Sequence, residues 1–125
     1  MAEMDPESVV RRFCDAFARL DVDELLDFFA EDAVYHNMPI APVRGKQAIA
    51  ATLRQFVDPH GEAQFEVRAI ATSGRTVLTE RVDRFVLRGK RIELPVMGAF
   101  EVDGQGRITA WRDYFDLAQF TKQLG

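Results

Sequence analysis

Hydrophobic residues follow two different spacings along this chain, helical in the first half and alternating in the second. The first helix is predicted to begin after Asp5, a typical cap that is followed by Pro6. Its apolar stripe consists of Val9, Val10, Phe13, Phe17 and Leu20. Two further helices are predicted over residues 22–29 and 45–57, with a short strand at 33–37 and the loop "PIAPVRG" (39–45) between them.

From residue 65 onward, alternating apolar and polar positions predict four strands, at 65–71, 75–87, 91–102 and 107–115. Asp116 then caps a short final helix. Helices followed by hairpin-linked strands are typical of an α+β fold. The length suits one domain over residues 1–125. N-terminal and C-terminal helices over the concave side of a strongly curved sheet would leave a cone-shaped pocket for a ligand.

The composition narrows the possible partners. The net charge is −4, which argues against nucleic acid, and no apolar run reaches the roughly 20 residues that a membrane span needs. The single cysteine and the absence of a signal-peptide pattern favour a cytoplasmic location. His36 and His60 do not form a metal-binding motif, and no glycine-rich phosphate loop is present. We therefore expect neither a metal nor a cofactor.

Charged residues interrupt two of the predicted strands. Arg81 and Asp83 lie two apart in "TERVDRF" (79–85) and so share one side of their strand. In "AWRDYFD" (110–116), Asp113 shares a side with Trp111 and Phe115. If these sides face the core, Arg81 can bond both carboxylates at once. The alternative is an ordinary ion network on the solvent side, and alternation alone does not decide between the two.

Four segments resemble the limonene-1,2-epoxide hydrolase family of the nuclear-transport-factor-2-like superfamily: "YHNMP" (35–39), "TERVD" (79–83), "LPVMGAF" (94–100) and "GRITAWRDYFD" (106–116). The resemblance implies a curved mixed sheet and cofactor-free, one-step hydrolysis of an epoxide by water. It further implies that Asp113 is the base, Asp83 the acid and Arg81 the bridge between them, and that Tyr35 and Asn37 hold the water.

The chemistry of epoxide opening asks for such residues independently. One carboxyl must take a proton from water while another gives a proton to the oxirane oxygen, so one is ionised and the other protonated at the same pH. Two carboxyls held close together share one proton, because ionising both is unfavourable. Arg81 would offset the remaining charge. Tyr35 and Asn37 lie two apart on a strand and would face the same side.

Apolar residues at two places in the sequence predict the polarity of the substrate and the oligomeric state. Six residues are candidates for the wall of a pocket that takes a mostly apolar epoxide, although each could instead be plain core: Phe56, Phe85, Leu94, Val96, Phe115 and Phe120. The outer side of the last strands is predicted to expose Leu78, Val82, Val86, Met97, Ala99 and Tyr114. Such a face is too apolar for water. We therefore predict a homodimer through it, as the resemblance also implies.

Two other functions remain open at this stage. An isomerase, cyclase or dehydratase could use Asp113 or Asp83 as a proton-shuttling base, but such a site would favour an oxyanion pair without an arginine beside it. A non-catalytic binding module is possible because this fold hosts many functions. A binding module has no need of two carboxylates against one arginine.

Overall fold

The computed structural model describes residues 5–125. Residues 1–4, which include the start of the segment used to predict the absence of a signal peptide, lie outside this range. The elements follow in the order α1 (Pro6–Ala16), α2 (Val22–Leu26), β1 (Phe29–Asn37), β2 (Val43–Arg44), α3 (Lys46–Phe56), β3 (Ala63–Ser73), β4 (Thr76–Leu87), β5 (Lys90–Val102), β6 (Ile108–Tyr114) and α4 (Leu117–Leu124). None of the described helices combines the length and hydrophobicity that crossing a membrane requires.

The six strands form one curved, unclosed mixed sheet in the order β2-β1-β6-β5-β4-β3. All neighbours are antiparallel except β1 and β6, which are parallel. The last strand of the chain therefore lies in the middle of the sheet and pairs with the first. Helix α1 packs against β3, and α4 packs against β5. The predicted α+β class with a strongly curved mixed sheet is confirmed.

The segment between α1 and α3 differs from the prediction. The second helix ends at Leu26 and not near residue 29, and β1 begins already at Phe29. The sheet takes precedence here, because Phe28 accepts a backbone hydrogen bond from Ile108 and the Phe29 side chain is buried. Residues 43 and 44, predicted as loop, form the edge strand β2 against β1. Tertiary pairing thus overrides a weak local helical pattern.

Two apolar clusters fill the space between helices and sheet. The larger one surrounds Trp111, which contacts a ring of aromatic side chains from α1, β1 and β5. The smaller one consists of Ile92, Leu94 and Val96 on β5, covered by residues that include Phe120 of α4. Polar side chains of β4 and β6 lie between these clusters, and there the functional site is found.

The outer side of the sheet is less apolar than predicted. Leu78, Met97 and Tyr114 are exposed, but Val82 and Ala99 are each only 7% exposed. Ion pairs also lie on this side. The Arg84 guanidinium contacts the carboxylates of Glu66 and Glu93, and the Arg112 guanidinium contacts that of Glu101. The exposed apolar area is therefore small: Met97 and Tyr114 are paired across β5 and β6, Leu78 lies on β4, and ion pairs surround them.

Candidate active site

Arg81 lies at the centre of the polar region and is only 1% exposed. Its Nε and Nη2 donate to the two oxygens of Asp83 at 2.9 and 2.7 Å. Its Nη1 and Nη2 donate to the two oxygens of Asp113 at 3.1 and 2.8 Å. The remaining Nη1 hydrogen goes to Thr79 Oγ1 at 3.2 Å. A guanidinium has five N–H groups, so its donor capacity is fully used within the protein.

The predicted cluster of Asp83, Arg81 and Asp113 is thus brought together, and it is buried. Asp83 and Asp113 are each 4% exposed, so a network on the solvent side is excluded for these three residues. A buried ion cluster is a poor source of stability, since the cost of removing charges from water offsets most of the attraction. Function is the more natural reason for keeping it.

The charges of the cluster shift its proton equilibria. Burial, opposed by Arg81 and supported by the nearby Asp113, raises the pKa of Asp83 from 3.8 to about 6. Burial alone would lower the pKa of Arg81, but Asp113 and Asp83 together raise it well above its ordinary value. The arginine therefore stays charged, and Asp83 retains a proton to a much higher pH than an exposed aspartate does.

The parallel pairing of β1 with β6 places the other two predicted residues beside the cluster. Tyr35 is paired with Trp111, and Asn37 with Asp113. The Met38 amide donates to the Asp113 carbonyl at 2.9 Å and fixes this register. Burial raises the pKa of Tyr35 further above its ordinary value, so its hydroxyl stays protonated. Tyr35, Asn37, Asp83 and Asp113 all line the same cavity.

A glycine makes room for the cluster. Gly98 of β5 lies between Thr79 on β4 and Asp113 on β6. A Cβ at this position would overlap Arg81 Nη1, and it would lie 2.8 Å from both Asp113 Oδ1 and Thr79 Oγ1. The guanidinium therefore crosses the sheet directly over Gly98, which is part of the "LPVMGAF" segment.

The cavity above the cluster has a volume of about 250 Å³. All six predicted wall residues line it: Phe56, Phe85, Leu94, Val96, Phe115 and Phe120. Arg81 and Trp111 are not among the residues that line it. The two carboxylates are therefore presented to the cavity, whereas the arginine that joins them lies behind.

Several site residues were not predicted. Trp111 Nε1 donates to Asp113 Oδ1 at 2.7 Å, and the Thr79 hydroxyl accepts from Arg81. Both are two residues away from their partner on the same strand, so alternation was a signal that could have identified them. Further cavity residues come from α3, α4, the strands β3 and β4 and the adjoining loops, and their spacing does not single them out: Ile40, Thr52, Gln55, Phe65, Leu87, Arg88, Leu117 and Leu124.

Metal-binding side chains do not converge in the described part of the chain. Between residues 5 and 125, no three His, Cys, Asp or Glu residues are arranged to hold an ion. His36 Nε2 lies 2.9 Å from the Ile40 carbonyl oxygen. Cys14 is buried, and burial raises its thiol pKa to about 12, so this thiol is not a nucleophile at neutral pH.

Comparison with known proteins assigns the family. Residues 4–125 match the model of the limonene-1,2-epoxide hydrolase catalytic domain. The chain therefore belongs to the limonene-1,2-epoxide hydrolase family. Among curated proteins it is 38% identical to epoxide hydrolase EphG of Mycobacterium tuberculosis over 117 residues, which are 92% of this chain and 76% of that protein.

Solved structures agree with this assignment. A limonene-1,2-epoxide-hydrolase-like epoxide hydrolase of M. tuberculosis superposes with a TM-score of 0.82 at 34% identity, covering 96% of this chain and 89% of that one. A putative polyketide cyclase of Xanthomonas campestris pv. campestris superposes with a TM-score of 0.80 at 24% identity over the whole of both chains. The cyclase likeness concerns the fold alone.

Proposed function

We propose that this protein hydrolyses a mostly apolar epoxide to a vicinal diol by direct attack of an activated water. The observation that carries the proposal is the buried arginine that bridges two carboxylates at the base of an apolar cavity. The family and the epoxide hydrolase relatives support it. Epoxide and water are then the only reactants, and no cofactor takes part.

In this mechanism Asp113 is the base and Asp83 is the acid. Asp113 takes a proton from a water that Asn37 and Tyr35 help to hold, and the water oxygen attacks an epoxide carbon. The carbon–oxygen bond of the ring breaks, and Asp83 gives its proton to the leaving oxygen. Each general acid or base contributes typically about 10²–10⁴-fold. After the diol leaves, Asp113 loses its proton and Asp83 gains one by proton exchange, which restores the starting state.

The geometry of Arg81 suits this exchange. Each carboxyl is bonded by two guanidinium nitrogens, so the two are held almost equivalently. Before the reaction Asp113 is ionised and Asp83 is neutral, and afterwards the reverse holds. The summed charge of Asp83, Arg81 and Asp113 is zero in both states. Moving the proton across the site therefore creates no new buried charge, which a low-dielectric interior would make costly.

An isomerase or cyclase on this fold is the alternative. Such an enzyme stabilises an oxyanion, which requires hydrogen-bond donors that are free to contact it. Arg81 has none to spare, because its five N–H groups are bonded to Thr79, Asp83 and Asp113. The arrangement favours paired acid and base chemistry.

A single-turnover experiment tests the proposal. A panel of terpene, cyclic and lipid epoxides is first screened for diol formation. The best substrate is then mixed with excess enzyme in ¹⁸O-labelled water and the diol is analysed by mass spectrometry. Direct attack by water places one ¹⁸O in the diol of the first turnover.

Two results would contradict the mechanism. An unlabelled first-turnover diol would mean that its oxygen came from an aspartate, which makes Asp113 or Asp83 a nucleophile. Conversion of an epoxide into an isomer without uptake of water would support the alternative function. An active-site variant that forms no diol serves as the blank for spontaneous hydrolysis.

The pKa of Asp83 predicts how activity depends on pH. Because the acid must carry its proton, kcat is expected to fall as the pH rises through about 6.

The free energy of unfolding is also expected to fall as the pH rises from about 4 to 6, since Asp83 ionises more readily in the unfolded chain, where its pKa is near 3.8. In Asp83→Asn this dependence of stability should flatten. A melting temperature that changes equally with pH in both proteins would contradict the assignment.

We further propose that two copies associate through the outer side of the sheet, around the exposed Leu78, Met97 and Tyr114. Light scattering at micromolar concentration is expected to give the mass of a dimer. Met97→Glu should shift it toward a monomer, because it places a charge within this patch. A monomer in the unmodified protein would show that the ion pairs make this side soluble by themselves.

A further inference from the structure

Trp111 has a place in the site that the mechanism above does not use. It is fully buried in the middle of β6, two residues before Asp113. Its indole Nε1 donates to Asp113 Oδ1 at 2.7 Å. Its ring lies parallel to the ring of Tyr35, with centroids 4.0 Å apart and planes inclined by 9°. One side chain therefore contacts both the proposed base and a proposed water-holding residue.

We propose that Trp111 is a positioning residue that fixes Asp113 and Tyr35 relative to each other. This inference rests on the proposed function, because it assigns a role within that reaction. Trp111 does not line the cavity and so acts through its two neighbours without touching the substrate. The indole is a rigid ring system, so its dimensions set the separation between Asp113 and Tyr35.

The hydrogen bond of Trp111 also distinguishes the two oxygens of the base. Among the described residues, Asp113 Oδ1 accepts from Trp111 Nε1 and from Arg81 Nη1, whereas Oδ2 accepts from Arg81 Nη2. Donors to an oxygen withdraw its electron density and occupy its lone pairs. Oδ2 is therefore the oxygen that takes the proton of the water. Trp111 keeps the carboxylate rotated so that Oδ2, and not Oδ1, is available.

Aromatic rings pack against the indole of Trp111. Phe100 lies parallel to it at 5.7 Å between centroids, and Phe13 meets it edge-on at 5.0 Å. A phenyl ring at position 111 would keep most of these apolar contacts but could not donate to Asp113. Trp111→Phe therefore isolates the hydrogen bond from the packing.

Kinetics of Trp111→Phe are the first test. Loss of a hydrogen bond to a charged group is expected to lower kcat by about 10- to 100-fold. KM is expected to stay within about twofold, because the cavity wall is unchanged. Phe13→Leu is the matched control, since it loosens the packing around the same indole without touching Asp113 or the cavity. It should lower the melting temperature but leave kcat within about threefold.

A spectroscopic test does not depend on activity. Trp111 is the only tryptophan of the chain, so a ¹⁵N–¹H spectrum contains a single indole N–H signal. Because this N–H is buried and bonded to a carboxylate, the signal is expected downfield and slow to exchange with solvent. Asp113→Asn should move it strongly, whereas Asp32→Asn, on the exposed part of β1, should leave it in place.

The outcomes separate this inference from the proposed function. If the unmodified enzyme opens no epoxide, the proposed function fails. If it does so and Trp111→Phe retains kcat within twofold, the positioning role is wrong while hydrolysis stands. A raised KM at unchanged kcat would also overturn it, because Trp111 would then shape the cavity. Should Trp111→Phe not fold, an indole signal that ignores Asp113→Asn would decide against the proposal.

Discussion

Replacing Asp113 by asparagine is expected to lower kcat by about 10²–10⁴-fold, because the amide cannot take a proton from water. The fold should survive. Arg81 then faces one negative partner in Asp83, and the pair remains neutral in charge. The same change removes the Asp113 charge that helps Asp83 to keep its proton. The variant therefore loses the base and also lowers the fraction of Asp83 that carries a proton.

Steady-state kinetics and thermal unfolding of Asp113→Asn check this expectation together. Asp32→Asn, which alters an exposed aspartate of β1, is the matched control and should match the unmodified protein in both measurements. Asp83→Asn should cost a similar factor through loss of the proton donor. A kcat of Asp113→Asn within threefold of the unmodified enzyme, at an unchanged melting temperature, would remove Asp113 from the role of base.

Replacing Gly98 by alanine is expected to be nearly as damaging, although glycine has no chemistry of its own. The added methyl overlaps Arg81 Nη1 and crowds Asp113 and Thr79, so the guanidinium must move away from at least one partner. Displacing a reacting group by about 1 Å can cost about 10²-fold in rate. Overpacking of a core typically costs a further 1–3 kcal/mol or so in stability.

Gly104→Ala is the control for this second prediction. Gly104 lies in the turn between β5 and β6, and a Cβ there meets nothing within 4 Å. It should change neither kcat nor the melting temperature appreciably. If Gly98→Ala keeps full activity, the neighbouring strands can separate enough to admit a methyl, and the tight packing around Arg81 is not required for turnover.

Much of the fold could be predicted from the sequence because local signals agreed with tertiary packing. Asp5 and Asp116 cap their helices with side-chain hydrogen bonds, as their positions suggested. Strand alternation located Arg81 and Asp83 on one side. It could not decide which side was buried, because both sides of β4 mix charged and apolar residues, and the structure was needed to show that this side faces the helices.

The rest of the site depends on contacts between strands that are far apart in sequence. The pairing of Asn37 with Asp113 arises from the parallel register of β1 and β6, for which no turn provides a local signal. The need for Gly98 appears only when β4, β5 and β6 are side by side. The local spacing around Phe28 predicts a helix. It contains no information about the backbone hydrogen bond that the Phe28 carbonyl accepts from Ile108, next to which β1 begins.

The central position of β6 determines when this chain can become an enzyme. β6, the last strand along the chain, lies between β1 and β5. The β2–β1 part and the β5–β4–β3 part of the sheet therefore cannot join until β6 is in place. It also carries Asp113 into contact with residues made much earlier. Such long-range closure is entropically expensive and late in folding. A nascent chain therefore has no competent site until its sheet is complete, and recovery of activity during refolding is expected to mark insertion of this strand, not the initial collapse.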